Sequence, residues 1–497
     1  MRVPLVSDGC IFDQPIDLSH AHARTLSFQD STLPALTAHE LRVDGELNCH
    51  GVHAGTLDIF GARICGQLWL TQAHITAPPT EWAVNAPSMA VTGGVYGRGL
   101  TARGGVNLYG TEIGAALELN HATITAHDQP AVRAGNLIVR TDVHLNDTTA
   151  TGSIDLFGAR IGGQLWLNSA HVTASTGNSA IDGPSMAVTG GLYANGLTAH
   201  GGVNLWGTEI GAAVELDHVT ITMQTGPALR GPRLSVRGDA TLTDATIHGT
   251  VDLEAAAVGG TLTFAGAQLS SAELPTMNLA TARLGALRLT AISGPDVSID
   301  LRRATVSTIE DDPACWPQTA QIDGLSYDTL LPQLPAAQRL AWLAHDPDTG
   351  QPQPYQQLAS HYRRAGLDHD ARTVLLTRQR LRRRQLRLPA RLWGHLQDVA
   401  VGYGYRPTRA LAWLLALIAA VATYTATHPP RLPTASGPSF NPVAYAVDVV
   451  LPILDLGQEK AFLTSGVAQW ITWVAALAGW VLATTVIAAI SRILIRQ

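Results

Sequence analysis

The chain has 497 residues, 46% of them hydrophobic and only 14% charged, with 47 glycines and a formal net charge of −6. That length leaves room for two or three structural regions, and sparse charge with abundant glycine suits a tightly wound β-solenoid joined to membrane-embedded helices. Its four cysteines are scattered without a C-x-x-C pair, and the N-terminus MRVPLVSDGC lacks the apolar run of a signal peptide, so a cytoplasmic rod is the simplest expectation, with the cysteines read as buried free thiols.

In chain order, residues 1–34 read as an N-terminal cap, and the repeats follow. Residues 55–125 return almost unchanged at 152–222, an offset of 152−55 = 97. The offset halves: Ala83-Val84, Ala131-Val132, Ala180-Ile181 and Ala228-Leu229 open equivalent stretches about 48 residues apart, with weaker versions at Ala35-Leu36 and Thr276-Met277. Within each unit Leu57, Ile59, Ala62 and Ile64 recur 11 residues later as Leu68, Leu70, Ala73 and Ile75. Alternating L-x-L triplets put both aliphatic side chains on one face of a short strand, and neighbouring glycines mark turns. Strands this short make poor hairpins but good rungs, so residues 35–309 are expected to form a parallel β-helix, right-handed, of about six units or twelve coils and roughly 60 Å.

Past Ile309 the segment DDPACWPQ breaks the ladder, and residues 310–395 read as a helical linker or cap with a basic juxtamembrane end. PYQQLASHYRRAGLDHDARTVL suggests one tetratricopeptide-like hairpin covering the terminal coil. Arg378, Arg380, Arg382, Arg383, Arg384, Arg387 and Arg391 then crowd together ahead of an uncharged run. That position points to anionic lipid rather than nucleic acid, at about 1 kcal/mol per residue near a surface.

Residues 396–497 form the expected membrane domain, with transmembrane helices near 409–428 and 467–490. Basic residues before the first and after the second place both termini in the cytoplasm of a multi-pass inner-membrane protein. Two stripes of small residues, Ala412, Ala416 and Ala420 on the first helix and Ala475, Gly479 and Ala483 on the second, suit close helix packing within the hairpin or between copies. The intervening 441–459 segment reads as apolar except for Asp448 and Asp455, which sit seven apart and share a helical face if Pro452 does not break it, either in the interface or as a re-entrant loop. AVGYG at 400–404 resembles a potassium filter but precedes both spans, where no filter works.

Charge divides unevenly: residues 1–312 carry 16 basic and 29 acidic residues, net −13, and residues 313–497 carry 17 basic and 10 acidic, net +7. The histidine clusters Cys49-His50-x-x-His53 and His20-x-His22 lack a second ligand pair at zinc-site spacing, and no metal is assigned. Gly93-Gly94-x-x-Gly97-x-Gly99 is followed by another rung, not a long helix, so no dinucleotide or other cofactor is assigned, and no catalytic residue either. Asp58, Asp155, Glu118 and Glu215 face outward, as lyase carboxylates on a β-helix would. Phe60, Trp69, Tyr109, Phe157, Trp166 and Trp206 also point away from the bore and make the candidate partner-binding surface.

The rungs GTLDIFGARI and GSIDLFGARI, the hairpin above, VGYGYRPTRALAWLLAL and VVLPILDLGQE together resemble a family of actinobacterial membrane proteins related to pentapeptide-repeat solenoids, from about residue 35 onward. Members often carry the label membrane-associated oxidoreductase, which brings no residue with it. Three functions are therefore expected in order: a non-catalytic, membrane-anchored scaffold for an unknown protein partner; transport or sensing by oligomerised hairpins; and an oxidoreductase.

Overall fold

A strand of two or three residues gains little from its sequence neighbour, so an 11-residue beat drives each strand onto its counterpart one coil away. The structure, a computed structural model, describes residues 4–347, 351–384, 407–430, 439–451, 454–462 and 464–494. They fall into two units, Met1–Gln357 and Leu358–Gln497.

The first unit is a parallel β-solenoid of about 15 turns. One ladder climbs it from Leu5 through Leu26, Leu47, Leu68, Val95, Leu117, Val143, Leu165, Leu192, Val214, Ala240, Leu262, Leu287 and Ile309 to Leu330. Two 11-residue beats make a coil, as expected, and at about 4.8 Å per coil the rod is about 70 Å long. In one coil Leu47, Cys49, Val52, Leu57, Ile59, Ala62 and Ile64 all point into the bore and are 3% exposed or less. Each buried leucine contributes about 1.5–3 kcal/mol, repeated coil after coil.

Four of those turns lie wholly or partly outside the expected 35–309. Leu5–Val6, Ile16–Asp17, His22–Ala23 and Leu26–Ser27 are rungs, so the described residues 4–34 belong to the solenoid rather than forming a separate cap. Beyond Ile309 the strands Thr319–Gln321 and Ser326–Leu331 continue the stack, because DDPACWPQ is only a 3-10 turn, Pro313–Cys315, capped by Asp312 and inserted between rungs. The twelve-coil expectation missed these turns because they lack the G-x-L-x-L spelling while keeping its inward aliphatics.

The 48-residue period has its own cause. Gly104, Gly152, Gly201 and Gly249 adopt φ of +121°, +114°, +128° and +127°, which side chains rarely adopt. A Cβ on them would lie 3.0, 2.7, 2.9 and 3.2 Å from the backbone nitrogens of Ala83, Ala131, Ala180 and Ala228, the residues that open each repeat. Every second coil thus carries a loop that returns tightly under the next coil, and only glycine leaves room.

The last coil is covered from its own unit. The helix Ala336–Leu343 buries Trp342 and Leu343, and its Arg339, 1% exposed, donates to Asp311 at 2.8 Å and to the Pro332 carbonyl at 2.9 Å. Gln353 and Gln357 donate to the carbonyls of Leu325 and Tyr327 at 2.8 and 2.6 Å, satisfying a rung edge that would otherwise be open. Those glutamines stand on the helix Pro352–Arg364, which crosses the boundary between the units.

In the second unit that helix stops at Gly366, at φ +76°, and Asp368–Arg384 follows. The helices Pro407–Thr427, Pro442–Val450, Gln458–Ala461 and Val467–Leu494 come next. Leu414, Val421, Tyr445, Ala446, Val449, Val450, Phe462 and Ala475 form their common core. Among the described residues one helix, at Val467–Thr484, is long and apolar enough to cross a membrane, and Leu411–Thr427 is a shorter apolar helix.

Candidate interaction surface

The aromatic residues sort into two ladders. The first is built by a repeated turn, D-x-F-G, N-x-Y-G or N-x-W-G, in which the side chain of the first residue accepts the backbone N–H two positions on. Asp58 holds Phe60 at 3.2 Å, Asn107 holds Tyr109 at 3.2 Å, Asp155 holds Phe157 at 3.0 Å and Asn204 holds Trp206 at 3.2 Å. The following Gly61, Gly110, Gly158 and Gly207 have φ of +62° to +64°, as the third position of a type II turn requires. On the coils between, proline or glycine takes the aromatic position: Pro87, Gly135, Pro184 and Pro232, followed by Ser88, Asn136, Ser185 and Arg233 at positive φ.

Coil-to-coil hydrogen bonds fix the order of this column. Gly61 N donates to Pro87 O, Ser88 N to Tyr109 O, Gly110 N to Gly135 O, Asn136 N to Phe157 O, Gly158 N to Pro184 O and Ser185 N to Trp206 O, all between 2.7 and 3.0 Å. Phe60, Tyr109, Phe157 and Trp206 therefore stand one above another on every second coil, and all four are 41–50% exposed. Arg133 lays its guanidinium over the Tyr109 ring, 5.0 Å from the centroid.

Beside them runs a polar ladder: Asp58, Asn85, Asn107, Arg133, Asp155, Asp182, Asn204, Arg230 and Asp252. Amide side chains bridge it, Asn85 to Asp58 at 3.2 Å, Asn107 to Asn85 at 2.9 Å and Asn204 to Asp182 at 2.7 Å. Asp155 and Asp182 are consecutive carboxylates, and burial, helped by Asp182, holds the Asp155 carboxyl above its ordinary range.

Trp69 and Trp166 stand apart from the other four, on a ladder of Trp69, Tyr96, Glu118, His144, Trp166, Tyr193 and Glu215. Each tryptophan stacks on a tyrosine, Trp69 on Tyr96 at 4.7 Å and Trp166 on Tyr193 at 4.4 Å, and Trp69 Nε1 donates to Glu46 at 3.1 Å. Sequence reading missed Tyr96 and Tyr193, although GGVY and GGLY recur with the same 97-residue offset. Glu118 and Glu215 accept amide hydrogen bonds from Asn120 at 3.3 Å and Asn195 at 3.1 Å. With Asp58 and Asp155 holding turns, these four outward carboxylates have structural partners.

The cysteine expectation needs correction: Cys49 alone is buried, its thiol pushed up to about 12 by desolvation, whereas Cys10 and Cys65 are exposed and Cys315 is half-buried. The histidines of the two dense clusters find separate neighbours: His53 stacks on His74 at 4.9 Å, His20 faces Glu40 at 3.4 Å and His22 faces Asp44 at 2.9 Å.

In the C-terminal unit the two small-residue stripes differ. Ala475 and Ala483 are buried and Gly479 lies against the Val450 carbonyl, so this stripe receives the short helix Pro442–Val450. Ala412, Ala416 and Ala420 are exposed, and the first helix packs through Leu414 and Val421 instead, because these larger side chains fill the space beside Tyr445 and Val449. Asp448 and Asp455 do not share a helical face, since the short helix ends at Val450. Asp448, 4% exposed, accepts from the backbone N–H groups of Leu456, Gln458 and Glu459 at 2.7–2.8 Å, whereas Asp455 is exposed and pairs with Lys460. Of the arginine cluster, Arg378 is half-buried and Arg380 exposed on the helix Asp368–Arg384. The side chains of Arg382, Arg383 and Arg384, and Arg387 and Arg391 entirely, lie outside the described residues, as does the AVGYG segment.

Comparison of the chain with protein-family models, curated proteins and solved structures found no match.

Proposed function

We propose that the chain is a non-catalytic scaffold: a cytoplasmic solenoid, held at the inner membrane by its C-terminal helices, that offers an aromatic and acidic face to a protein partner. The observation that carries this reading is the column Phe60, Tyr109, Phe157 and Trp206, four large exposed side chains in register on a rigid stack. In the membrane part, Pro407–Thr427 and Val467–Leu494 serve as the two spans, since 21 residues at 1.5 Å each reach about 30 Å. Both termini then face the cytoplasm, the arginines from Arg378 to Arg391 meet anionic lipid, and the exposed Ala412, Ala416 and Ala420 are free to join copies. The resemblance to actinobacterial pentapeptide-repeat-like membrane proteins fits this arrangement. Affinity capture from native membranes tests it: changing the four aromatics to serine is expected to lose partners that the native chain retains, and retention of every partner overturns it.

A second reading, transport or sensing by oligomerised hairpins, is favoured by one observation: the short helix Pro442–Val450 is buried among the long ones as a re-entrant segment would be. Ionic current from the reconstituted full chain, altered by Asp448→Asn, would support it. The oxidoreductase reading rests on the family label alone, and a colourless protein without bound flavin or nucleotide would remove it.

A further inference from the structure

We infer that the column Phe60, Tyr109, Phe157 and Trp206 is a comb for a proline-rich, arginine-bearing segment in the polyproline II conformation. This rests on the scaffold reading and names the chemistry of its partner. The first argument is register. Aromatics on alternate coils stand about 9.6 Å apart along the axis. A polyproline II helix advances about 9.3 Å per three-residue turn, whereas the two-residue repeat of an extended strand is about 6.8 Å and falls out of step after one tooth. Four teeth span about 29 Å, or nine to ten residues of such a ligand.

Shape gives the second argument. Between the teeth lie Pro87, Gly135 and Pro184; the Tyr109 ring lies down over the buried Gly135, where an added Cβ would approach it to 3.1 Å, and its hydroxyl accepts from Asn136 at 3.1 Å, so the half-exposed Pro87 and Pro184 are the gaps that a ligand can reach. The column therefore presents rings with gaps at Pro87 and Pro184, and prolines of a preformed polyproline ligand stack on the rings and seat in those gaps at little cost in conformational entropy.

Charge gives the third. Asp155 and Asp182 lie on consecutive rungs beside Phe157 and Pro184, with Arg133 on the rung before Asp155, whereas Asp58 beside Phe60 already faces His39 at 3.0 Å. The chain already places a guanidinium on this column, that of Arg133 over Tyr109, and a ligand arginine beside Phe157 would find both a ring and two carboxylates.

The test uses the full chain in detergent micelles or nanodiscs and the fluorescence anisotropy of labelled twelve-residue peptides. A repeating Pro-Pro-Arg peptide is expected to bind saturably, and a Gly-Ser-Arg peptide of equal charge about tenfold more weakly. Phe157→Ser and Tyr109→Ser should each weaken binding about tenfold. Pro184→Tyr adds a ring but fills a notch, so it should weaken binding too, with unchanged thermal melts showing that the rod is intact. Equal affinity for the two peptides, no binding, tighter binding by Pro184→Tyr, or preferential binding of a soluble β-linked hexasaccharide would each overturn the proposal. If the peptide fails while capture from membranes still depends on the four aromatics, the comb is wrong and the scaffold stands. If capture is also unaffected, both fall.

Discussion

Glycine matters here in two different ways, and the difference is measurable. At Gly152 a side chain meets both a forbidden φ of +114° and the Ala131 nitrogen at 2.7 Å, so Gly152→Ala should cost about 3 kcal/mol or more. At Gly61 the φ of +64° is left-handed helical and the nearest obstacle is the Glu40 Cγ at 3.5 Å, so Gly61→Ala should cost only about 1 kcal/mol. Denaturant midpoints of the two variants check the contrast, and equal losses would remove the loop-closure account of the 48-residue period. Asp155 gives a pH signature. Its pKa is raised above 3.8, chiefly by burial, so folding favours its protonated form and its ionisation destabilises the rod as pH rises through that raised value. Asp155→Asn keeps the acceptor for Phe157 N–H and removes the charge, so it should raise the melting temperature at pH 7, with the gain vanishing below pH 3.8.

Among the elements, the short helix Pro442–Val450 is the most conditional. Its start is local: Asn441 accepts the N–H groups of Val443 and Ala444 at 3.0 and 3.2 Å, and Pro442 follows at the first helical position. Its seat is tertiary. A Cβ on Gly479 would stand 2.2 Å from the Val450 carbonyl, and Asp448 holds the loop beyond the helix through three backbone N–H groups. Gly479→Leu should therefore expel the helix and expose 441–459 to protease in micelles. Asp448→Ala, which orphans three donors, should lower stability by about 2–4 kcal/mol. If neither variant changes the cleavage pattern, the helix is not held by these contacts.

At the scale of the whole rod, coils touch only their neighbours, so stability is close to a sum over adjacent pairs and whole coils are removable in register. Deleting residues 55–151 joins Ala54 to Gly152 and rewrites HAGTLDIFGARI as HAGSIDLFGARI, restoring the two-residue gap before the next inward aliphatic. The ladder from Leu57 to Ile154 runs through Val84, Val106 and Val132, so four coils leave together. The shortened chain should fold with an unchanged β-sheet circular dichroism signature and a rod about 19 Å shorter by small-angle scattering. A deletion of ten residues more or fewer should aggregate, because it turns the aliphatic face outward or breaks the corner sequence.

Much of this was fixed by the chain's own spelling. Leu57 and Ile59 recurring as Leu68 and Leu70 determine strand, inward face and half-coil, because a period-two triplet between turn residues has no other way to bury its aliphatics. The outward direction of Phe60 and Trp69 follows from the same alternation. Their neighbours do not: Phe60 joins Tyr109, Phe157 and Trp206, whereas Trp69 stacks on Tyr96, because which side chains meet depends on coil length, and the loops that lengthen every second coil shift residues that are far apart in the chain into contact. The ends of the stack, the burial of Asp448 and the choice of Leu414 over Ala412 were likewise left to tertiary structure, since each depends on what lies against it, and apolar or small residues alone do not specify a neighbour.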